Sequence, residues 1–156
     1  MNKIIAVDPG GTTGIAAWNE HTCRTWEVSG GLLAGVRAVR ELLQPGDTLI
    51  YEKFEIMAST VKTDLDDAYT ALYINGALLV AAADAGVRII EQRPKDKLFA
   101  NSHNWAALRA VEWYSTQGDG HCNDAAAHLL KHLVDTRQLP DSMLSKIVDM
   151  ELGLTA

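Results

Sequence analysis

Four side chains in this sequence have the types and placement to do chemistry together. Asp8 closes the apolar run Ile4-Ile5-Ala6-Val7, Glu52 closes Leu49-Ile50-Tyr51, and Asp124 stands three residues after His121. Three carboxylates and an imidazole form a hard, oxygen-rich donor set suited to Mg²⁺ or Mn²⁺. Two such ions about 4 Å apart can clamp the attacking and leaving oxygens of a phosphodiester displacement. Each residue also has a plainer reading. Asp8 before Pro9-Gly10 is a turn residue, Glu52 is a solvated strand end, and His121 with Asp124 suits a helix N-terminus, where anions are favoured. Only their joint placement at the ends of elements points to a site, because ligands of α/β sheets bind at the carboxyl ends of strands.

The elements that must position these residues follow from the spacing of apolar side chains. Residues 3–7 read as a strand ending in the turn Asp8-Pro9-Gly10-Gly11, and 14–18 and 22–28 as two more strands of an antiparallel meander. Leu32, Leu33, Val36, Val39, Leu42 and Leu43 recur at helical spacing until Pro45-Gly46-Asp47 stops them, and 48–51 is a fourth strand. Residues 53–62 read as a loop. Thr63 and Asp66 have capping-box spacing for a long helix to about residue 85, with an apolar stripe at Leu65, Ala68, Leu72, Gly76, Leu79 and Ala83. Its Ala- and Gly-rich later half asks for a close neighbour, such as a second subunit. Residues 87–90 form a fifth strand. Residues 95–117 read as helix in two pieces, broken near Asn101-Ser102-His103. A helix spans 121 to about 136, and Asp141 caps a last one toward Leu152. The order predicts an α/β fold with a five-stranded mixed sheet: a three-strand antiparallel meander plus two parallel strands reached through crossover helices. Residues 1–156 form one domain, with 137–156 a C-terminal helical extension.

Composition bounds the function classes. The 156 residues are 47% hydrophobic and 22% charged, the balance of a globular domain. Lys plus Arg number 14 against 20 acids, a net charge of −6, which taken alone argues against a nucleic-acid partner. Acids gathered around bound cations invert that reading locally. The most apolar run, 77–83, is closed by Asp84 and falls short of a membrane span. An acid at position 8 interrupts what a signal peptide would need as its apolar centre, so a cytoplasmic location is expected. Cys23 and Cys122 form no CxxC pair and read as free thiols, a single disulfide being the alternative.

Ile4-Ile5-Ala6-Val7-Asp8-Pro9-Gly10 followed by Thr13-Gly14-Ile15-Ala16 resembles the opening motif of the RuvC family of Holliday-junction resolvases. Ile50-Tyr51-Glu52 resembles the family's second acid, and His121-Cys122-Asn123-Asp124-Ala125-Ala126-Ala127 its last motif. The resemblance runs from about residue 3 to 135. It implies an RNase H-like fold and a metal-dependent endonuclease that cuts four-way junctions and related branched DNA by paired nicks. The ends would be ligatable, a 5′-phosphate and a 3′-hydroxyl. It also implies a homodimer, with the long Ala/Gly-rich helix at the contact, and Mg²⁺ or Mn²⁺ as cofactor, two per active site. Asp8 would bridge the ions, Glu52 and Asp124 would complete the ligands, and His121 would ligate or orient water or the scissile phosphate. A short, acidic, stand-alone member suits a phage that debranches its DNA in the host cytoplasm. One departure stands out: the family's junction-wedging aromatic position is Glu55 here, with Phe54 and Met57 as neighbours that could serve instead.

The sparse cations cluster near strand ends: Lys53 and Lys62 flank the loop after Glu52, and Arg88, Arg93, Lys95 and Lys97 lead out of the fifth strand. Lys53, Phe54, Lys62, Arg93, Lys95 and Lys97 are the expected DNA-binding residues, against the alternative of ordinary solvated charges. His128 and His132 have zinc-pair spacing near Cys122 but lack a second soft pair; His128 instead lies one turn beyond Asp124, where it could support the metal ligands. Trp105, Leu108 and Trp113 fit a helix packing face. A sugar-kinase or actin-like phosphate loop at 8–13 would need a duplicated domain. A broader flap, fork or RNA–DNA hybrid nuclease, or an inactive branched-DNA-binding module, remains the alternative function.

Overall fold

Alternating and continuous apolar runs build one mixed sheet in a computed structural model that describes residues 2–54 and 65–152. Its strands are β1 (Ile4–Asp8), β2 (Thr12–Trp18), β3 (Cys23–Ser29), β4 (Thr48–Glu52) and β5 (Arg88–Gln92), in the order β3-β2-β1-β4-β5. β1 pairs antiparallel with β2 and parallel with β4; β2–β3 is antiparallel and β4–β5 parallel. This is the expected meander followed by two crossover strands. β1 is central, which is why all five of its residues are buried.

Alternation divides the core between the two faces of the sheet. Ile5, Val7, Ile15 and Leu49 pack under α1 (Gly31–Leu42) and α2 (Leu65–Asp84), which contribute Val39, Ile74, Leu78 and Ala82. Ile4, Ala6, Ala16, Trp18 and Ile50 pack under α3 (Leu98–Ala110), α4 (His121–Asp135) and α5 (Asp141–Glu151), through Leu108, Leu129, Leu130, Leu133 and Ile147. A short 3-10 turn, Pro94–Lys97, links β5 to α3. Among the described residues no helix is long and apolar enough to cross a membrane. Cys23 and Cys122 are both free.

Several local expectations are corrected. The 95–117 segment is not helical to its end: α3 stops at Ala110. Glu112 takes a left-handed φ of 64°, and the Trp113 and Glu112 N–H groups close back on the Leu108 and Arg109 carbonyls, a Schellman-type ending. Trp113 then turns into the core against Trp18, with ring centroids 5.3 Å apart. The break expected near 101–103 is absent, α3 being continuous there, although Trp105 has a left-handed φ of 62°. Asp141 is the first residue of α5 and makes no side-chain cap; Pro140 precedes it and its carbonyl accepts from the Met143 and Leu144 N–H groups. In α2 the packed face is Ala71, Ile74, Leu78 and Ala82, whereas Leu72, Gly76 and Ala83 of the predicted stripe are exposed. The loop at 55–62, with Glu55, Met57 and Lys62, and the Thr63–Asp66 capping pair fall outside what is described.

Candidate active site

Asp8 ends the central strand, 8% exposed, and pairs across the sheet with Gly14 of β2. Gly14 has no side chain for a structural reason: a Cβ there would lie 2.0 Å from the His121 carbonyl oxygen. The bare backbone of β2 therefore lets the first turn of α4 settle onto the sheet beside Asp8. The His121 Nδ1 accordingly stands 2.9 Å from Asp8 Oδ2. An ionised carboxylate only accepts, so Nδ1–H donates. That hydrogen bond with Asp8 raises the His121 pKa above its usual value, outweighing the opposing effect of burial, with the Asp8, Glu27 and Asp124 charges adding to it.

The start of α4 is held from an unexpected side. Gly120, at the N-cap position with φ 98°, offers no capping side chain. Glu27 reaches over from β3 instead: its carboxylate accepts from the N–H groups of Asp119 (2.9 Å), Gly120 (2.9 Å) and Cys122 (3.2 Å). Negative charge at a helix N-terminus is favourable. Against some desolvation, these backbone donors pull the Glu27 pKa below its ordinary value. Asn123 completes the clasp by exchanging hydrogen bonds with the Ser115 backbone, its Oδ1 accepting at 2.8 Å and its Nδ2 donating at 2.9 Å.

Glu52 ends β4 next to Asp8. Its Oε2 accepts from His128 Nε2 at 2.7 Å and from the Lys97 ammonium at 3.0 Å, and Lys97 also lies 3.2 Å from Asp124 Oδ2. Lys97 thus stands between two of the three acids. Burial alone would raise the Glu52 pKa, but the His128 hydrogen bond and the Lys97 charge outweigh it and lower the value. Burial likewise opposes the charged form of Lys97, yet Asp8, Asp124 and Glu52 together raise its pKa, so it stays an ammonium. For Asp124 burial dominates and raises the pKa against the pull of Lys97, with Asp8 adding repulsion. A carboxyl that is reluctant to ionise gains most from an added cation.

The four chemical candidates therefore meet at the carboxyl ends of β1 and β4. Among the described residues no group of three or more His, Cys, Asp and Glu side chains stands close enough together to grip one ion. The donor set nevertheless suits a hard divalent cation, and one positive charge, Lys97, already lies against two of these carboxylates. A cavity of about 320 Å³ opens beside His121 and Asp124, with Trp105, Tyr114 and Ser115 in its wall.

The other predicted residues fall into two groups. Lys53, Arg93 and Lys95 are exposed near the same edge, Lys53 3.3 Å from Glu91, and Phe54 is half-buried; Lys97 is drawn inward among the acids. His128 is fully buried with both nitrogens bonded, whereas His132 is buried with its pKa lowered by desolvation and the Arg88 charge. Sequence reasoning missed Glu27 and Gln92. Glu27 had one signal, a helix that starts after Gly-Asp-Gly with no Ser, Thr, Asp or Asn at its N-cap. Gln92 had none.

Sheet order, crossover helices and acids at adjoining strand ends define an RNase H-like fold. Within that class the chain superposes on RuvC from Thermus thermophilus. The RuvC complex with a Holliday junction substrate matches with a TM-score of 0.64 at 20% identity, over 88% of this chain and 96% of that one. A second T. thermophilus RuvC structure gives 0.61, also at 20% identity, over 86% and 95%. No family model and no curated protein matches the sequence.

Proposed function

We propose that this protein is a RuvC-family endonuclease that resolves four-way DNA junctions, using Mg²⁺ or Mn²⁺ drawn to the carboxylates of Asp8, Glu52 and Asp124, with His121 as a further ligand or as the group that orients water or the scissile phosphate. The observation that carries this reading is the meeting of these four side chains at the ends of the two central parallel strands. The fold likeness to a RuvC bound to a Holliday junction supports the substrate class. When bound, the divalent ions supply positive charge against the charge that develops on the scissile phosphate. The chain's own residues do the rest. With Nδ1 committed to Asp8, His121 has Nε2 left to orient a water or hold a proton. Lys97 keeps an ammonium beside the acids, suited to a phosphate oxygen. Exposed Lys53, Arg93 and Lys95 form a basic rim for the flanking backbone, with Phe54 beside it.

Paired nicks need two sites, and α2 offers a surface for a second copy. Tyr69, Leu72, Tyr73, Gly76 and Val80 recur at three and four along its exposed side, with Tyr73 60% and Val80 62% exposed. Among the described residues nothing lies within 4 Å of a Cβ placed on Gly76, so a partner helix can approach closely there.

The test is cleavage of end-labelled four-way junction, fork, flap, linear duplex and RNA–DNA hybrid under Mg²⁺ or Mn²⁺. Symmetric nicks confined to the junction, with ligatable ends, are expected. Equal cutting of all branched forms would point to the broader flap and fork nuclease. Junction binding without cutting under either ion would make the protein a binding module.

A further inference from the structure

β5 is an edge strand whose only buried residue is polar. Arg88, Ile89 and Glu91 are exposed and Ile90 is half-buried, yet Gln92 is 8% exposed. Gln92 is the register partner of Glu52 on the neighbouring parallel strand, and its carbonyl accepts from the Lys53 N–H at 2.7 Å. Above both residues lies His128, fully buried in an α4 segment otherwise made of Ala125, Ala126, Ala127, Leu129 and Leu130. Its ring spans the two strand ends: Nδ1 is 2.6 Å from Gln92 Oε1 and Nε2 is 2.7 Å from Glu52 Oε2. On the other side of the sheet, Asn75 of α2 donates to the Glu52 backbone carbonyl at 2.9 Å. A histidine that merely filled the core would cost a polar burial that leucine avoids. This one instead connects two strand ends through both nitrogens.

We propose that Gln92 and His128 form a buried clamp that sets the position of the Glu52 carboxylate for divalent-ion binding. They are positioning residues; neither touches the reacting atoms. His128 lies one helical turn after Asp124, so a single helix carries one ligand and the handle that holds another. The separation of the Glu52 and Asp124 carboxylates is thereby tied to the rise of one turn of α4. By holding Nδ1, Gln92 fixes the plane of the ring with Nε2 turned to Glu52. The inference rests on the metal-dependent nuclease reading and extends it to two residues outside the ligand set.

The test is Mn²⁺ titration of the metal-free full-length protein, followed by the electron paramagnetic resonance signal of free Mn²⁺. Wild type, Glu52→Gln, Gln92→Leu, His128→Leu and His128→Gln are compared, with thermal unfolding as the check on folding. Gln92→Leu and His128→Leu should weaken Mn²⁺ binding by about 10- to 100-fold. His128→Gln keeps an N–H within reach of Glu52 and should lose less. Raising Mn²⁺ should return junction cleavage in Gln92→Leu toward the wild-type rate, which a general loss of structure would not allow. Gln92 sits on an edge strand and leucine has a similar volume, so this variant decides the matter where a His128 variant does not fold. If wild type takes up no Mn²⁺, or Glu52→Gln takes up as much as wild type, the nuclease reading itself falls. If Glu52→Gln loses Mn²⁺ while folded Gln92→Leu and His128→Leu bind it like wild type, the clamp alone is overturned.

Discussion

The two ends of β4 each carry an acid, and the two acids are held in opposite ways. Asp47, 1% exposed, precedes the strand and accepts from backbone: the Lys3 N–H at 2.7 Å on one oxygen and the Gln44 N–H at 3.0 Å on the other, with the Lys3 ammonium 3.6 Å away. Its own carbonyl accepts from the Arg88 N–H, so one residue ties together the starts of β1, β4 and β5. At the far end Glu52, Asp8 and Asp124 are partnered by side chains: His128, His121 and Lys97. Backbone donors cannot leave without unfolding the chain, whereas the partly exposed Lys97 and His121 can rotate aside for a substrate or ion while buried His128 keeps its hold on Glu52. The same residue type therefore serves structure at one end of the sheet and is available for chemistry at the other.

Exchanging the acids is the most severe way to break this contrast. Asp8→Asn, Glu52→Gln and Asp124→Asn should each lower junction cleavage by at least about 10³-fold. Their urea unfolding free energies should stay within about 1 kcal/mol of wild type. Asp47→Ala should do the reverse, costing about 3 kcal/mol by stranding buried N–H donors while its folded fraction still cuts. Gly14→Ala comes next: its Cβ would meet backbone, not a movable side chain, so the start of α4 must shift. A displacement of about 1 Å would lower the cleavage rate by about 10²-fold, read by single-turnover kinetics.

Smaller effects are expected at the residues that support the site. Glu27→Gln should cost about 1 kcal/mol, as the loss of a helix cap does. It should also flatten the acid limb of stability against pH. The folded Glu27 pKa is depressed below 4.5, so its contribution is present above that unfolded value and fades as pH falls through the folded one. Thermal unfolding midpoints measured from about pH 3 to about pH 7 would show the wild-type slope reduced in the variant. The mildest change is at the rim: Arg93→Ala with Lys95→Ala should weaken junction binding and reduce its log–log salt slope by about 1 for each phosphate-binding cation removed. An unaltered slope would remove these two residues from the interface.

Much of this architecture was legible in the sequence, for identifiable reasons. The central strands are apolar runs closed by turn residues, and the meander has polar joints, so strand number and direction follow from pattern and connection length. Asp8 and Glu52 stood out because they close such runs, and Asp124 because it follows His121 by three residues. The outward side of α2 was not legible, because Leu and Ala occur all around that helix and periodicity could not choose the packed face. The end of α3 was hidden by Glu112, a non-glycine residue in the left-handed position. The places of Lys97 and Gln92 depend on how a 3-10 turn and an edge strand cross α4, which no local spacing encodes. Glu27 acts across 92 to 95 residues of chain, and on an edge strand it reads as an ordinary solvated acid.

Whether the acids gathered at the ends of β1 and β4 cut DNA is tested most directly by one cleavage experiment with 5′-labelled four-way junction and Mn²⁺. Wild type, Asp8→Asn and Asp124→Asn are compared at protein concentrations that bind the junction equally. Wild type should yield symmetric nicks in opposing strands, and both variants should leave the bound junction whole. Cleavage that survives both substitutions would take Asp8 and Asp124 out of the reaction.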